Sequence, residues 1–86
     1  MSTATMISER LGRVLDWAVD SSVIRVFTAG GENQVLVMFA SGRHAFVGEL
    51  DDGRFICVVC LDEGGCEVVT FCGVDVFKRG LLALSR

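Results

Sequence analysis

Between residues 5 and 20 apolar side chains recur at Ile7, Leu11, Val14, Leu15 and Ala18. Steps of four, three and one residues stack these positions on one side of an α-helix, so the spacing predicts a helix over 5–20. Thr5 is placed to cap its first turn, where Glu9 also meets the positive end of the helix dipole. Arg10, Arg13, Asp16 and Asp20 fall on other sides, and Trp17 shares a second stripe with Met6, Arg10 and Arg13. Ser21-Ser22 ends the element.

From residue 23 onward the pattern becomes that of strands. Runs at 23–27, 34–39, 44–50, 55–61 and 66–72 are rich in Val, Ile, Phe and Cys and are separated by short glycine-bearing links. The links are Ala29-Gly30-Gly31-Glu32, Ala40-Ser41-Gly42-Arg43, Asp51-Asp52-Gly53-Arg54 and Asp62-Glu63-Gly64-Gly65. Glycine supplies the positive φ that two-residue primed turns require. Links this short join sequential strands as antiparallel neighbours, which predicts a five-stranded meander. Residues 74–84 fit either a sixth strand or a short helix started by Asp75. The expected fold class is α+β: one domain over 1–86, an N-terminal helix packed on a five- to six-stranded antiparallel meander sheet spanning 23–72.

Centring each hairpin on a two-residue turn sets a register. Phe39 then faces His44, Val37 faces Phe46, Leu50 faces Phe55, Leu61 faces Cys66 and Val59 faces Val68; Val26 opposes Val35. Alternation assigns Ile24, Val26, Val35, Val37, Phe39, His44, Phe46, Leu50, Phe55, Cys57, Val59, Leu61, Cys66, Val68, Thr70 and Cys72 to the face under the helix. The opposite face carries an apolar centre of Leu36, Met38, Val47, Ile56, Val58, Val69 and Phe71, with Glu49 and Glu67 among its few charges and Arg25 and Phe27 alongside. One helix cannot cover both faces, and a half-covered antiparallel sheet normally alternates apolar with polar. Three arrangements would hide the second face: closure into a small barrel, pairing with a second copy about a two-fold axis, or docking of another protein.

Composition narrows the classes. The chain has 86 residues, 51% of them apolar, with mean hydropathy +0.53, which excludes a disordered chain and leaves room for one small core. A small core gains from association, which favours the homodimer. Eleven acids against eight bases give a net charge of −3, so a nucleic-acid partner is not expected. No basic region leads into an apolar core at the N-terminus, and the longest apolar run, 55–61, is far short of the ~20 residues of a membrane span. A cytoplasmic chain with reduced thiols and no membrane association is the expectation.

Candidate chemistry is sparse. Cys57, Cys60, Cys66 and Cys72 have a spacing that invites a zinc reading, but Val58-Val59 favours continuous strand, on which Cys57 and Cys60 point to opposite faces. In this register no cysteine lies across from another, so packing thiols are expected rather than disulfides or metal ligands. His44 opposes Leu61 and stands two strand spacings, about 10 Å, from Cys66, too far for a thiol–imidazole dyad. Asp51, Asp52, Asp62 and Glu63 crowd two hairpin tips and form a possible acidic lip for a basic partner, though exposed tips do not separate pKa values for acid–base work. Gly30-Gly31 and Gly64-Gly65 do not open a helix, and no Gly-Lys-Ser/Thr follows them, so phosphate binding is not expected. No catalytic residue, cofactor or metal is assigned.

Two resemblances add context. The segment Val35-Leu36-Val37-Met38-Phe39-Ala40-Ser41-Gly42-Arg43, followed by Gly48-Glu49-Leu50, is similar to the first motif of the Sm-like RNA-binding barrels, and Arg79-Gly80 to their second. That resemblance implies an SH3/Sm-like barrel and RNA binding; the glycine after Gly42-Arg43 comes one residue late, and the family's aromatic-Asp…Asn segment is missing, so no RNA-contacting residue is carried over. As a class, small acidic single-domain chains of this kind resemble phage-encoded inhibitors, including anti-CRISPR proteins, which implies a viral protein. The expected function is a non-enzymatic protein-binding module, an inhibitor or adaptor, homodimeric and engaging another protein. Its expected interaction surface is Leu36, Met38, Val47, Ile56, Val58, Val69 and Phe71 with Glu49 and Glu67. The alternatives are Sm-like RNA binding and a thiol- or metal-dependent enzyme.

Overall fold

The computed structural model describes residues 8–31 and 34–86, with the side chains of all but 29–31. Thr5, Met6, Ile7 and Glu32, invoked above, lie outside the described residues. Helix α1 (Glu9–Asp20) starts at Ser8, whose hydroxyl accepts from the Leu11 N–H at 3.1 Å and satisfies one of the donors a helix start leaves open. Its buried side chains are Leu11, Val14, Leu15 and Ala18, as the spacing predicts. Ser22, at φ +61°, reverses the chain, and the Val23 N–H closes on the Ala18 carbonyl at 2.8 Å.

Five strands follow: β1 (Ile24–Gly31), β2 (Gln34–Phe39), β3 (His44–Glu49), β4 (Phe55–Cys60) and β5 (Cys66–Phe71). They form one antiparallel sheet in the order β1-β2-β3-β4-β5, so the meander is open and not a closed barrel. The ambiguous tail is helix α2 (Val74–Leu84), with Gly73 at its N-cap and Asp75 in its first turn. Its buried side chains are Phe77 and Leu81, one helical turn apart on the face toward the sheet. No described helix is long and apolar enough to cross a membrane.

The hairpins differ from expectation in one respect with wide consequences. Phe39 N–H donates to the Arg43 carbonyl (2.8 Å) and Gly42 N–H to the Phe39 carbonyl (2.9 Å), which leaves a loop of Ala40-Ser41-Gly42. Leu50 with Arg54 and Gly53, and Leu61 with Gly65 and Gly64, repeat the arrangement. Gly42, Gly53 and Gly64 sit at φ +94°, +91° and +96°, the left-handed third position of a three-residue loop built on a type I turn. Each loop is one residue longer than the primed turn and moves the register by one.

A one-residue slip turns the next strand over. Val37 therefore faces Ala45 rather than Phe46, Ala45 faces Val59, and Val59 faces Glu67 rather than Val68. Two slips cancel at β4, so Phe55, Cys57 and Val59 are buried with Val35, Val37 and Phe39 as expected. On β3 the core residues are Ala45 and Val47, and His44 and Phe46 face away. On β5, Val69 and Phe71 take the helix side while Cys66, Val68 and Thr70 face away. In β1 a bulge at Arg25 leaves Ile24 in the core, turns Val26 outward and Phe27 inward.

Both helices pack on the same side of the sheet, where their buried residues share one cluster with the inward rows of β1–β4. Phe77 lies flat on Phe55, centroids 4.4 Å apart and planes within 10°, and Phe71 leans on Phe77 at 5.5 Å. The Arg10 guanidinium caps the stack, 5.0 Å from the Phe55 centroid. Gly80 lets α2 approach this stack, because a Cβ there would overlap Cε1 and Cζ of the Phe71 ring. Gly80→Ala, which in an open helix gains about 1 kcal/mol, should here lose about 1–3 kcal/mol by overpacking. A lowered denaturant midpoint checks this, and a raised one would contradict the close approach.

Candidate interaction surface

The face of the sheet away from the helices has no covering element among the described residues. The register arranges it in rows across the strands. The central row is Thr28, Leu36, Phe46, Val58 and Val68; one flanking row runs through Val26, Met38, His44, Cys60 and Cys66. The other flanking row holds Gln34, Gly48, Ile56 and Thr70. None of these paired residues is Asp, Glu, Lys or Arg. Arg25, the extra residue of the bulge, reaches along the rim to donate to the Ala40 carbonyl at 3.1 Å.

Leu36, Met38, Ile56 and Val58 are half-buried because cross-strand neighbours shield one another. Toward the edges that shielding fades: Val26 is 55% and Val68 58% exposed. A shallow groove of about 190 Å³ crosses β1–β3 between Val26, Leu36, Met38 and His44. Five strands at ~4.8 Å and six residues at ~3.4 Å give the face a projection of about 24 by 20 Å.

Of the expected surface residues, Leu36, Met38, Ile56 and Val58 are on this face. Val47 is not: it is buried beneath the helices, opposite Val35 and Cys57. Val69 and Phe71 also turn toward the helix layer, where Phe71 touches Phe77. Glu49 and Glu67 belong to that side as well. Glu49 accepts from the Ser8 hydroxyl and from Arg10 (Nη1···Oε2 2.8 Å), so it anchors the start of α1 to β3. Glu67 lines a cleft of about 320 Å³ with Arg43, Asp62 and Leu84. The reason is the same slip in each case: the longer loops turned β3 and β5 over. The sequence reading missed Val26, His44, Phe46, Cys66, Val68 and Thr70 on the outer face, all of which it placed in the core.

The four tip acids are exposed but do not make one lip. Asp51 and Asp52 cap the β3–β4 hairpin and Asp62 and Glu63 the β4–β5 hairpin, which lie at opposite ends of β4, about 20 Å apart. Asp52 is engaged locally: the Arg54 N–H and Nε donate to it at 3.1 and 2.8 Å, and these bonds hold its carboxyl below the usual range. Arg10, Arg13 and Lys78, distant in sequence, line a cleft of about 230 Å³ between the helices, with Lys78 5.0 Å above the Trp17 ring. Arg13 is paired there with Glu9 (3.1 Å) and Arg10 with Glu49.

The cysteines also move with the register. Cys60 lies directly across from Cys66, contrary to the expectation that no two cysteines oppose, and both are exposed. Cys57 is buried in the core, and loss of hydration pushes its thiol up to about 11. His44 faces Met38 on the outer side, not Leu61 within the core. Among the described residues no three His, Cys, Asp or Glu side chains are grouped to hold a metal ion.

Compared with protein-family models, curated proteins and solved structures, the chain matches none. The residues behind the Sm-like resemblance are arranged differently from what it implies. Gly42-Arg43 closes a hairpin, Arg79-Gly80 lies inside α2 instead of a strand, and the sheet is open.

Proposed function

We propose that this chain is a non-enzymatic protein-binding module whose outer sheet face pairs with a second copy of itself. The observation that carries the reading is a face of five strands whose paired residues include no charged side chain. A projection of about 24 by 20 Å, corrugated by side chains, is of the order of the ~800 Å² that each partner contributes to a standard interface. That projection, about 480 Å², lies within the ~300–600 Å² of the largest apolar patch on a soluble monomer.

Self-pairing fits this face better than a charge-matched partner does. An isologous contact brings each surface against itself, so any charge near the axis meets its own like. A face whose paired residues carry no charge meets no such repulsion. Two sheets stacked at about 10 Å would bury the central rows of both copies in one apolar layer. An inhibitor or adaptor built this way acts by covering a surface, and its target would meet the helix side or the rim.

Isotope-filtered NOE spectra of a labelled and unlabelled mixture test the reading. Intermolecular cross-peaks should connect Leu36, Phe46, Ile56 and Val58 of one copy with the same residues of the other. Cross-peaks confined to the helices or to the β5 edge would replace the face-to-face pairing with another contact, and their absence would remove it.

A further inference from the structure

We propose that Cys60 and Cys66 form a reversible disulfide by exchange with low-molecular-weight disulfides, a modification site on the outer end of the β4–β5 hairpin. The register pairs them directly. The Leu61 N–H donates to the Gly65 carbonyl at 2.9 Å, which makes Leu61 and Gly65 the hydrogen-bonded pair that closes the loop. In an antiparallel ladder the next pair inward is non-hydrogen-bonded, with Cα atoms about 4.5 Å apart and side chains on the same face. That separation lies within the range of about 4.4–6.8 Å that a disulfide spans. Both thiols are exposed, so a disulfide reagent reaches them without unfolding.

The other two cysteines are built-in controls. Cys57 is buried on the opposite side of β4. Cys72 is exposed but follows β5 at its far end, six residues from Cys66, or about 20 Å along a strand. Neither can reach the pair.

The exchange balances as two successive displacements. The thiolate of one cysteine attacks a sulfur of oxidised glutathione, forming a mixed disulfide and expelling one glutathione thiolate, which takes up a proton. The second cysteine, as thiolate, attacks the first cysteine's sulfur and expels the second glutathione. Two cysteine thiols are oxidised and one glutathione disulfide is reduced to two thiols. The product joins the turn end of the edge strand β5 to β4.

This inference does not rest on sheet pairing, and the test separates the two. The native chain is treated with oxidised glutathione at a concentration low enough to be monomeric, and in parallel as Val58→Glu, so that a covered face cannot hide the thiols. Native thiol titration should fall from three reactive groups to none, because Cys72, exposed and without a resolving partner, is held as a glutathione adduct. Peptide mapping should show a Cys60–Cys66 link and the loss of two hydrogen atoms, reversed by dithiothreitol. Cys60→Ser and Cys66→Ser should instead hold a stable glutathione adduct on the remaining partner. Glutathione adducts that persist on both Cys60 and Cys66 of the unsubstituted chain, or links through Cys72, would overturn the assignment, as would two unmodified thiols.

Discussion

Phe77→Ala should cost the fold about 3–5 kcal/mol, the range for deleting a buried aromatic side chain. Phe77 is fully buried and is the middle ring of a stack that joins three elements: Phe55 on β4, Phe77 on α2 and Phe71 on β5. Removing it leaves a void between the sheet and α2 and unseats the ring that Arg10 covers from α1. An 86-residue domain carries a total stability of roughly 4–13 kcal/mol, so the loss takes a large share of it. Denaturant titration followed by circular dichroism reads the effect directly. Phe77→Leu, which keeps most of the volume, should lose less than half as much; equal losses, or an alanine cost below about 1 kcal/mol, would show that α2 is not docked on this stack.

Val58→Glu and Val47→Glu should give opposite outcomes although the two residues lie on adjacent strands and have the same side chain. Val47 is in the core against Val35 and Cys57, where nothing pairs a carboxylate, so its substitution costs several kcal/mol and should unfold the chain. Val58 lies between Phe46 and Val68 on the uncovered face. There the carboxylate stays hydrated in a single copy, and folding should change by less than about 1 kcal/mol. In a face-to-face dimer the same carboxylate is desolvated without a partner and set against its own symmetry mate. Association should weaken at least about 100-fold, or about 3 kcal/mol. Circular dichroism and sedimentation together read both variants. If both behave alike, the two residues share a face and the three-residue hairpin register is wrong.

This comparison also marks how far the sequence could be read. The buried stripe of α1 was legible because Leu11, Val14, Leu15 and Ala18 are flanked by charges that fix the facing. Strands β2 and β4 were legible in the same way only by cancellation, each separated from the other by two equal slips. Strands β3 and β5 were not: Phe46 and Val47, or Val68 and Val69, are equally apolar, and a strand apolar on both sides carries no information about its own register. Turn length alone decided them. The signal was present, since Gly42, Gly53 and Gly64 each occupy the third position of their loops, two of them preceded by acids that suit a type I turn. Glu49 and Glu67 went to the outer face with the rest of β3 and β5 in that register, whereas Glu49 lies at the edge of the helix layer within reach of Ser8 and Arg10.

The slip sharpened the surface rather than erasing it. It moved Glu49 and Glu67 away from the outer face and exchanged Val47, Val69 and Phe71 for Phe46 and Val68, so that face keeps an apolar centre and loses its acids. The direct measurement is the molar mass of the unsubstituted chain by multi-angle light scattering across a dilution series in the micromolar range. Pairing through the outer face predicts a mass near twice the 9.3 kDa of one copy, falling to one copy on dilution. A mass of one copy at every concentration would contradict it.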